Sequence, residues 1–373
     1  MALAKLMKTP HMDRIDTDIA IIGAGSAGLA AHTAARRHTD RLLLIEGGPW
    51  GTTCARVGCM PSKLLIAAAE AAGAVRRAAA FGIAVDGLRV DGEAVMRRVR
   101  ALRDDFVDGV IAGMDARIPA SGRLRGTARF LGPHTLQVDD AQVHARRIVI
   151  ATGSAPHVPE VFAGLGDRLL TSDSVFELPR LPRSLAVVGG GVIGLELGQA
   201  MHRLGVRVQL LHAGTRLGPK GDPVMEAAAT AILRRHIPCA LGAEVLGAEP
   251  SGDGVRLRWR ADGGEQAEDF EYVLVAAGRR PRLSALALEH SGLALDARGV
   301  PRFDPATLRC GDSHVFIAGD VDADQPLLHV AAEEGRIAGE NAARFPDIRV
   351  HRRSVPLAIA FTEPQTAVLG QTP

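Results

Sequence analysis

Aromatic residues are scarce in this chain of 373 residues. They make up 3% of it, with a single tyrosine and two tryptophans. Proteins that hold single-stranded nucleic acid stack bases on aromatic side chains along a basic groove. The formal net charge is only +2, and the arginines are spread along the chain. The composition therefore argues against a nucleic-acid partner.

Long apolar runs are also missing from the sequence. No segment approaches the roughly 20 apolar residues that a membrane-spanning helix requires, so we expect no membrane association. The first 18 residues contain no stretch like the apolar part of a signal peptide. We interpret them as a short disordered lead-in to a cytoplasmic protein. The length of the chain predicts at least two domains.

Cysteine is rare, with four in the chain, yet Cys54 and Cys59 lie five positions apart in TTCARVGCMPSK. One interpretation is two inert thiols in a core, since free cysteine is among the most buried residue types. Another is a redox-active disulfide, because paired cysteines in a reducing compartment are more often catalytic or metal-binding than structural. Zinc needs further ligands at short spacings. Cys239 and Cys310 are solitary, so we expect no metal site.

A glycine pattern typical of dinucleotide binding lies near the start. A buried β run, Ile19–Ile22, leads into a glycine-rich turn and an alanine-rich helix. The turn contains Gly23, Gly25 and Gly28. Such glycines permit a tight turn and close approach to a pyrophosphate, and the helix N-terminus supplies amide hydrogens. The next strand ends in Glu46, where a carboxylate can accept ribose hydroxyls.

The same pattern recurs in the stretch 184–204. The second turn contains three glycines, Gly189, Gly191 and Gly194. His212 now occupies the position at which Glu46 follows the first turn, so the usual reason to prefer a free 2′-hydroxyl is lost. His212 and Arg216, together with Lys220, could instead meet a 2′-phosphate, which favours NADPH over NADH. The alternative is that His212 is only a surface residue at a strand end.

Three further segments run from a buried strand into a turn of small residues. They are 148–154, 272–281 and 314–320. The last ends in Asp320, where an acid at the C-terminal edge of a parallel strand can accept a ligand hydroxyl. The sequence therefore predicts an α/β protein with two doubly wound, Rossmann-like dinucleotide-binding domains.

These motifs, in this order, resemble the class I pyridine nucleotide–disulfide oxidoreductases. This flavoprotein family includes dihydrolipoamide dehydrogenase, mercuric reductase and glutathione reductase. The resemblance runs from about Asp16 to the end of the chain, and its most specific part is C-x4-C followed by PSK, which ends at Lys63. The stretch MPSK is closer to dihydrolipoamide dehydrogenases and mercuric reductases than to glutathione reductases. Three positions depart from the family: Thr52 replaces a usual glycine, Arg56 a usual asparagine, and His212 the acid expected of an NAD-linked lipoamide enzyme.

The resemblance implies that Cys54 and Cys59 form a redox-active disulfide against the ring of FAD. Electrons would pass from NAD(P)H through FAD to this disulfide. In the reduced pair, Cys54 would attack the substrate disulfide and Cys59 would contact the flavin. Lys63 and Glu196 match the family's ion pair beside the reactive flavin nitrogen. The alternative for Lys63 and Glu196 is a surface pair worth under about 1 kcal/mol.

The resemblance also marks cofactor-binding positions along the chain. For FAD these are Gly23, Gly25, Gly28, Glu46, Thr53, Lys63, Ala128, Thr152, Gly153, Asp320 and His329. For NAD(P) they are Gly189, Gly191, Gly194, Glu196, His212, Arg216, Val245 and Gly278. His329 and Glu333 form a helical i, i+4 pair that matches a flavin-contacting segment and not the catalytic base. The alternative for this pair is helix packing.

The domain organisation is predicted from the same resemblance. We expect an FAD-binding domain split over 14–155 and 279–350, with an NAD(P)-binding domain inserted at 156–278. The segment 351–373 resembles the start of an α+β interface domain, which in the family forms the homodimer. That domain supplies a His–Glu acid–base pair from the partner subunit. We therefore expect the chain to be a fragment or an early-ended reading frame that turns over a disulfide poorly.

The leading hypothesis is an FAD-dependent disulfide oxidoreductase that resembles dihydrolipoamide dehydrogenase. Its partner would be a small-molecule or protein-bound disulfide or dithiol, and its full-length form a homodimer. One alternative is a mercuric-reductase-like or other NADPH-linked disulfide reductase. Another is a catalytically silent flavin-binding protein.

Overall fold

The structure, a computed structural model, describes residues 14–370 except Lys220. The predicted lead-in before Arg14 and the proposed phosphate contact of Lys220 lie outside the described residues. The chain folds into two compact units, each assembled from three stretches. Of the described residues, the first unit comprises 14–50, 113–153 and 281–353, and the second comprises 51–112, 154–280 and 354–370. The domain boundaries given above remain a prediction.

The first unit is built on one seven-stranded sheet. With elements numbered in chain order, its strands are β1 (Arg14–Ile22), β2 (Leu42–Glu46), β3 (Arg123–Arg125), β4 (Ala128–Gly132), β5 (Thr135–Val138), β6 (Ala141–Ile150) and β17 (Val315–Ile317). Strands β3, β2, β1, β6 and β17 pair in parallel. The hairpin β4–β5 pairs antiparallel with the first half of β6.

Two helices, α1 (Ser26–Ala35) and α7 (Leu328–Arg344), pack closely in the first unit. A Cβ at Gly335 would overlap the carbonyl oxygen of Ala27, and one at Gly339 would overlap that of Ala31. Because neither glycine has a side chain, the backbones of the two helices approach directly. This contact fixes α7 against the start of α1.

The first strand is longer than the sequence predicts. Residues 14–18 belong to β1 and not to a disordered lead-in, since Arg14–Thr17 pair with Gln142–Ala145 of β6. Thr17 is buried, and its Oγ1 donates to the Arg41 carbonyl oxygen at 2.8 Å. The prediction was wrong here because this part of the strand is polar and its pairing partner lies far along the chain.

The second unit contains a five-stranded parallel sheet in the order β11-β10-β9-β15-β8. Its strands are β8 (Leu169–Leu170), β9 (Ser184–Val188), β10 (Arg207–His212), β11 (Cys239–Leu241) and β15 (Tyr272–Val275). An antiparallel sheet consists of β12 (Glu244–Ser251), β13 (Gly254–Ala261) and β14 (Gly264–Phe270). Two small pairs consist of β7 (Ser154–Pro156) with β16 (Arg279–Pro281) and β18 (Leu357–Ala360) with β19 (Thr366–Leu369).

The remaining helices belong wholly or mostly to the second unit. They are α2 (Thr53–Val57), α3 (Cys59–Arg77), α4 (Gly92–Asp115), α5 (Val192–Arg203) and α6 (Pro223–Leu233). Each of the two largest sheets has a strand, a glycine turn and a helix in succession, namely β1 with α1 and β9 with α5. The predicted α/β fold with two Rossmann-like parts is confirmed. Among the described residues, no helix has both the length and the apolar composition needed to cross a bilayer.

Candidate active site

Cys54 and Cys59 are brought together by a break between two helices. Cys54 lies in α2 and Cys59 is the first residue of α3, with Gly58 between the helices. A Cβ placed on Gly58 would lie 3.1 Å from the Cα of Cys54, so a larger residue would crowd this approach. The local sequence thus folds the two cysteines into one site, as the C-x4-C spacing predicts.

Thr52, one of the three departures from the family, has a structural role in this turn. Its φ of 60° lies in the region that favours glycine. Its Oγ1 accepts a hydrogen bond from the Ala55 N–H at 3.2 Å and so caps the N-terminus of α2. The side-chain cap offsets part of the backbone strain that glycine would avoid.

The two thiols share one proton unevenly. The Cys54 thiol donates a hydrogen bond to the Cys59 sulfur, and this bond lowers the pKa of Cys59 to about 7. The charge of Lys63 also lowers that pKa, while burial and Glu196 raise it. The same hydrogen bond and burial raise the pKa of Cys54. The reduced pair therefore carries its negative charge on Cys59, at the start of α3.

Lys63 and Glu196 form the predicted ion pair. Lys63 Nζ lies 2.7 Å from Glu196 Oε2, and Glu196 is buried in α5. The second oxygen, Glu196 Oε1, accepts from the Phe361 N–H at 2.9 Å, and Lys63 Nζ lies 4.6 Å from the centre of the Phe361 ring. Because its carboxylate partner is nearly inaccessible to water, this pair is not an ordinary surface pair.

The sequence did not predict that residues near position 361 contact this ion pair and the helix that carries Glu196. Besides the Phe361 contacts, Gln199 of α5 exchanges two hydrogen bonds with the backbone of Glu363, at 2.9 and 2.6 Å. These contacts join positions 164 or 165 residues apart, and no local spacing signals them. The stretch around Phe361 therefore contributes directly to the environment of Lys63.

A metal site at the cysteines would need further ligands, and the part of the chain that the structure describes offers no such set. There, no group of three or more His, Cys, Asp or Glu side chains could hold an ion. Cys54, Cys59, Cys239 and Cys310 are free thiols.

The first glycine turn forms a cradle for an anionic group at the N-terminus of α1. A Cβ on Gly28 would overlap the Gly23 carbonyl oxygen, which explains the need for glycine there. At Gly25 no atom of the described residues lies within 4 Å of the Cβ position, so space remains beside the helix N-terminus. Glu46 closes the turn, since its Oε2 accepts the Ala24 N–H at 2.7 Å.

Other FAD candidates lie beside this cradle. A Cβ on Gly23 would lie 3.2 Å from the Cα of Thr152. The Thr152 hydroxyl is buried with no hydrogen-bond partner among the described residues, as expected of a donor kept for a ligand. Gly319, next to Asp320, approaches Ala27 in the first turn of α1. This polar, open cradle fits the pyrophosphate and ribose of a dinucleotide such as FAD.

The remaining FAD candidates lie on several different elements. Ala128 opens β4, two residues after Gly126, whose N–H donates to the Glu46 carbonyl oxygen at 3.0 Å. Gly153 follows Thr152 with a φ of 68°. His329 is exposed in the first turn of α7. Thr53 and Lys63 belong to the second unit. Most of the candidates that belong to the first unit therefore lie around the glycine turn.

The second glycine turn repeats the first in detail. A Cβ on Gly194 would overlap the Gly189 carbonyl oxygen, and the Cβ position of Gly191 is open among the described atoms. The Gly190 N–H donates to His212 Nδ1 at 3.1 Å, the position equivalent to the Ala24–Glu46 bond. His212 thus replaces the acid as the acceptor that closes the turn. Burial lowers the pKa of His212, which favours the neutral ring.

The other NAD(P) candidates flank this turn, with one exception. Gly189 packs against Ala276, two residues before Gly278. Val245 follows Ala243, whose N–H donates to the His212 carbonyl oxygen at 2.9 Å. Arg216 is exposed, and its Nη1 donates to the Pro223 carbonyl oxygen at 3.2 Å. Glu196 is the exception. It lies in α5 near the turn, but one of its oxygens pairs with Lys63 Nζ and the other accepts the Phe361 N–H.

Comparison with known proteins agrees with this geometry. Residues 17–335 match the family described as pyridine nucleotide-disulphide oxidoreductase. The chain is 32% identical to the dihydrolipoyl dehydrogenase of Chlamydia pneumoniae, over 95% of this chain and 75% of that protein. It is 31% identical to the mercuric reductase of Bacillus cereus, over 96% of this chain and 56% of that protein.

A solved structure leads to the same assignment. LpdA from Mycobacterium tuberculosis superimposes with a TM-score of 0.81 at 26% identity, over 95% of this chain and 78% of that one. The predicted resemblance and the predicted dihydrolipoamide-dehydrogenase-like oxidoreductase are confirmed. The chain belongs to the pyridine nucleotide-disulphide oxidoreductase family.

Proposed function

We propose that Cys54 and Cys59 are the redox-active pair of this chain, and that they exchange two electrons with NADPH by way of FAD. The observation that carries this proposal is the hydrogen-bonded dithiol beside the Lys63–Glu196 pair. The glycine cradles at α1 and α5 support one site for FAD and one for the nicotinamide coenzyme. FAD, when bound, supplies the two-electron transfer that no side chain provides.

The cysteines then perform a thiol–disulfide exchange. Reduction of the Cys54–Cys59 disulfide with two electrons and one proton leaves a Cys54 thiol and a Cys59 thiolate. After losing its proton to a base, Cys54 attacks a substrate disulfide, forms a mixed disulfide and releases one substrate thiolate. Cys59 attacks the Cys54 sulfur, which restores the internal disulfide and releases the second substrate thiolate. Two protons from water complete the dithiol product.

Lys63 acts on this chemistry through charge. Its ammonium group stabilises the Cys59 thiolate, and the buried Glu196 carboxylate holds the ammonium group in place. Glu196 in turn depends on the Phe361 N–H. Anaerobic titration of the FAD-loaded protein with NADPH tests this series of electron transfers, with the visible spectrum as the readout.

We propose a small-molecule or protein-bound disulfide or dithiol as the substrate. The names of the dihydrolipoyl dehydrogenases among the similar proteins support a lipoyl-type dithiol. The family resemblance supports a homodimer. We also propose a cytoplasmic location, since paired cysteines in a reducing compartment are more often catalytic than structural.

The preference for NADPH is the part of the proposal that rests on His212 and Arg216. A neutral imidazole in place of the acid removes the repulsion of a 2′-phosphate, and Arg216 places an exposed cation four residues further on. Arg216→Ala should weaken NADPH binding about fivefold, because the ion pair between Arg216 and the 2′-phosphate is lost. The loss is modest because that pair would be exposed to solvent. NADH binding should not change.

His212→Glu tests the same preference in the opposite direction. A glutamate would restore both the acceptor for the Gly190 N–H and the negative charge, so the variant should favour NADH. Dissociation constants for both coenzymes, measured by quenching of flavin fluorescence, give the comparison. An Arg216→Ala variant that weakens NADH and NADPH equally would contradict the assignment. Arg234→Ala, an arginine just beyond the end of α6, is the matched control.

A further inference from the structure

The turn Gly319–Asp320 has an unusual support in the first unit. Gly319 follows β17 with a φ of 80°, and a Cβ there would lie 2.9 Å from the Cβ of Ala27 in α1. The turn therefore lies directly beside the glycine cradle. Only glycine combines this conformation with this closeness. Whatever fixes Gly319 also fixes Asp320, the acid proposed to accept a hydroxyl of FAD.

The support comes from Glu334 of α7. Its side chain is fully buried, and its Oε2 accepts the Gly319 N–H at 2.8 Å. The neighbouring Gly335 packs on Ala27, so α7 cannot shift away from α1 without losing that contact. Glu334 thus links the helix that rests on the cradle to the turn that carries Asp320.

The charges around Glu334 are unbalanced. Arg353 forms ion pairs with Glu334 and with Asp324, the latter at 3.1 Å. Asp322, 2% exposed, also faces Glu334, and its Oδ1 accepts the Asp324 N–H at 2.9 Å. Helix α1 meets this side of α7 with the uncharged Ala27 and Ala31. Three carboxyl groups therefore surround a single guanidinium group.

One of the two buried carboxyl groups must keep a proton to relieve this imbalance. Burial and the charge of Asp322 raise the pKa of Glu334 to about 8, against the opposing effect of Arg353. Burial also raises the pKa of Asp322. Asp322 Oδ2 is buried with no hydrogen-bond partner among the described residues. A protonated Glu334 beside it supplies the donor that this oxygen lacks.

We propose that Glu334 is a positioning residue for the flavin site. It shares a proton with Asp322 and so holds the Gly319–Asp320 turn in place. The inference rests on the proposed function, since it concerns how this chain retains FAD. Loss of the shared proton places two negative charges side by side behind the turn. FAD retention should therefore weaken as the pH rises through the range in which Glu334 ionises.

The test is the FAD affinity of the apoprotein at pH 7 and pH 9, measured by flavin fluorescence. If only the protonated form holds the turn, wild-type affinity should fall about tenfold between these values. Glu334→Gln keeps an acceptor for the Gly319 N–H and stays neutral, so its affinity should match wild type at pH 7 and stay unchanged at pH 9. Glu334→Ala should bind FAD about 10- to 100-fold more weakly at pH 7, because the buried N–H loses its acceptor.

Glu340→Gln, on the same helix but paired with Arg344, is the matched control and should follow wild type at both pH values. Should Glu334→Ala fail to fold by far-UV circular dichroism, the comparison of Glu334→Gln with wild type still decides. A wild-type affinity equal at pH 7 and pH 9 would overturn the inference, and so would a Glu334→Gln variant that loses affinity in parallel with wild type. A folded wild type that binds no FAD at either pH would instead overturn the proposed function.

Discussion

Cys54→Ser should lower the turnover of a disulfide substrate by roughly a thousandfold or more, the scale expected when a nucleophile is lost. Serine has a similar size but forms neither a mixed disulfide nor the internal disulfide with Cys59. The rate of NADPH oxidation with oxidised lipoamide as the probe, at saturating FAD, is the measurement. FAD binding should not change.

Cys239→Ser is the matched control, since Cys239 is also a partly buried free thiol but lies in β11 of the second unit. Its turnover should equal that of the wild type. A Cys54→Ser protein that keeps wild-type turnover would show that the exchange does not pass through this pair. Absence of turnover in wild type and variant alike, with FAD bound to both, would favour the catalytically silent flavin-binding alternative.

Lys63→Met should raise the pKa of Cys59 from about 7, because the stabilising charge beside the thiolate is removed. A smaller share of Cys59 should then be thiolate at pH 7, so its reactivity there should fall by about twofold or more. The rate of alkylation of the reduced apoprotein against pH, read residue by residue by mass spectrometry, measures the change. The same substitution should lower the free energy of unfolding by about 1–3 kcal/mol, discounted for the partial exposure of Lys63.

Two further variants test the direction in which charge shifts the pKa of Cys59. Glu196→Gln should lower the pKa of Cys59, since the Glu196 charge raises it in the wild type. Lys63→Arg keeps the charge and should leave the pKa near its wild-type value. A Lys63→Met protein with an unchanged alkylation profile would show that Lys63 does not set the charge of the dithiol.

The sequence predicted those parts of the site in which chemistry follows from local spacing. Both glycine turns require glycine for reasons visible in the pattern, and Glu46 lies where the strand–turn–helix geometry places an acid. Cys54 and Cys59 are close because Gly58 separates two short-range elements. In each case the determining residues lie within about 30 positions of one another, which is the length of a βαβ unit.

Contacts between distant segments were not predictable in this way. Glu196 lies 133 residues from Lys63, and their pairing was expected only because both match a family motif. Phe361 and Glu334 have no such signal, since the first is one apolar residue in a strand-like tail and the second one acid among several. Their partners are set by how helices and loops pack, which spacing does not encode.

His212 shows a mixed outcome. Its position after the second glycine turn was predicted from the spacing, and its role toward the coenzyme stays a prediction. Its hydrogen bond to the Gly190 N–H was not expected, because the sequence suggested only a phosphate contact or a surface residue. The sequence signal that could have revealed it is the shared spacing, since Glu46 and His212 follow their glycine turns at the same distance.

Anaerobic titration of the FAD-loaded protein with NADPH, followed by visible spectroscopy, tests most directly whether Cys54 and Cys59 are coupled to the flavin. A thiolate in contact with oxidised flavin gives a long-wavelength charge-transfer band. We predict that this band appears after two electrons have been added, and that Cys59→Ser abolishes it. Simple bleaching of the flavin after two electrons, with no long-wavelength band, would contradict the assignment of the redox pair.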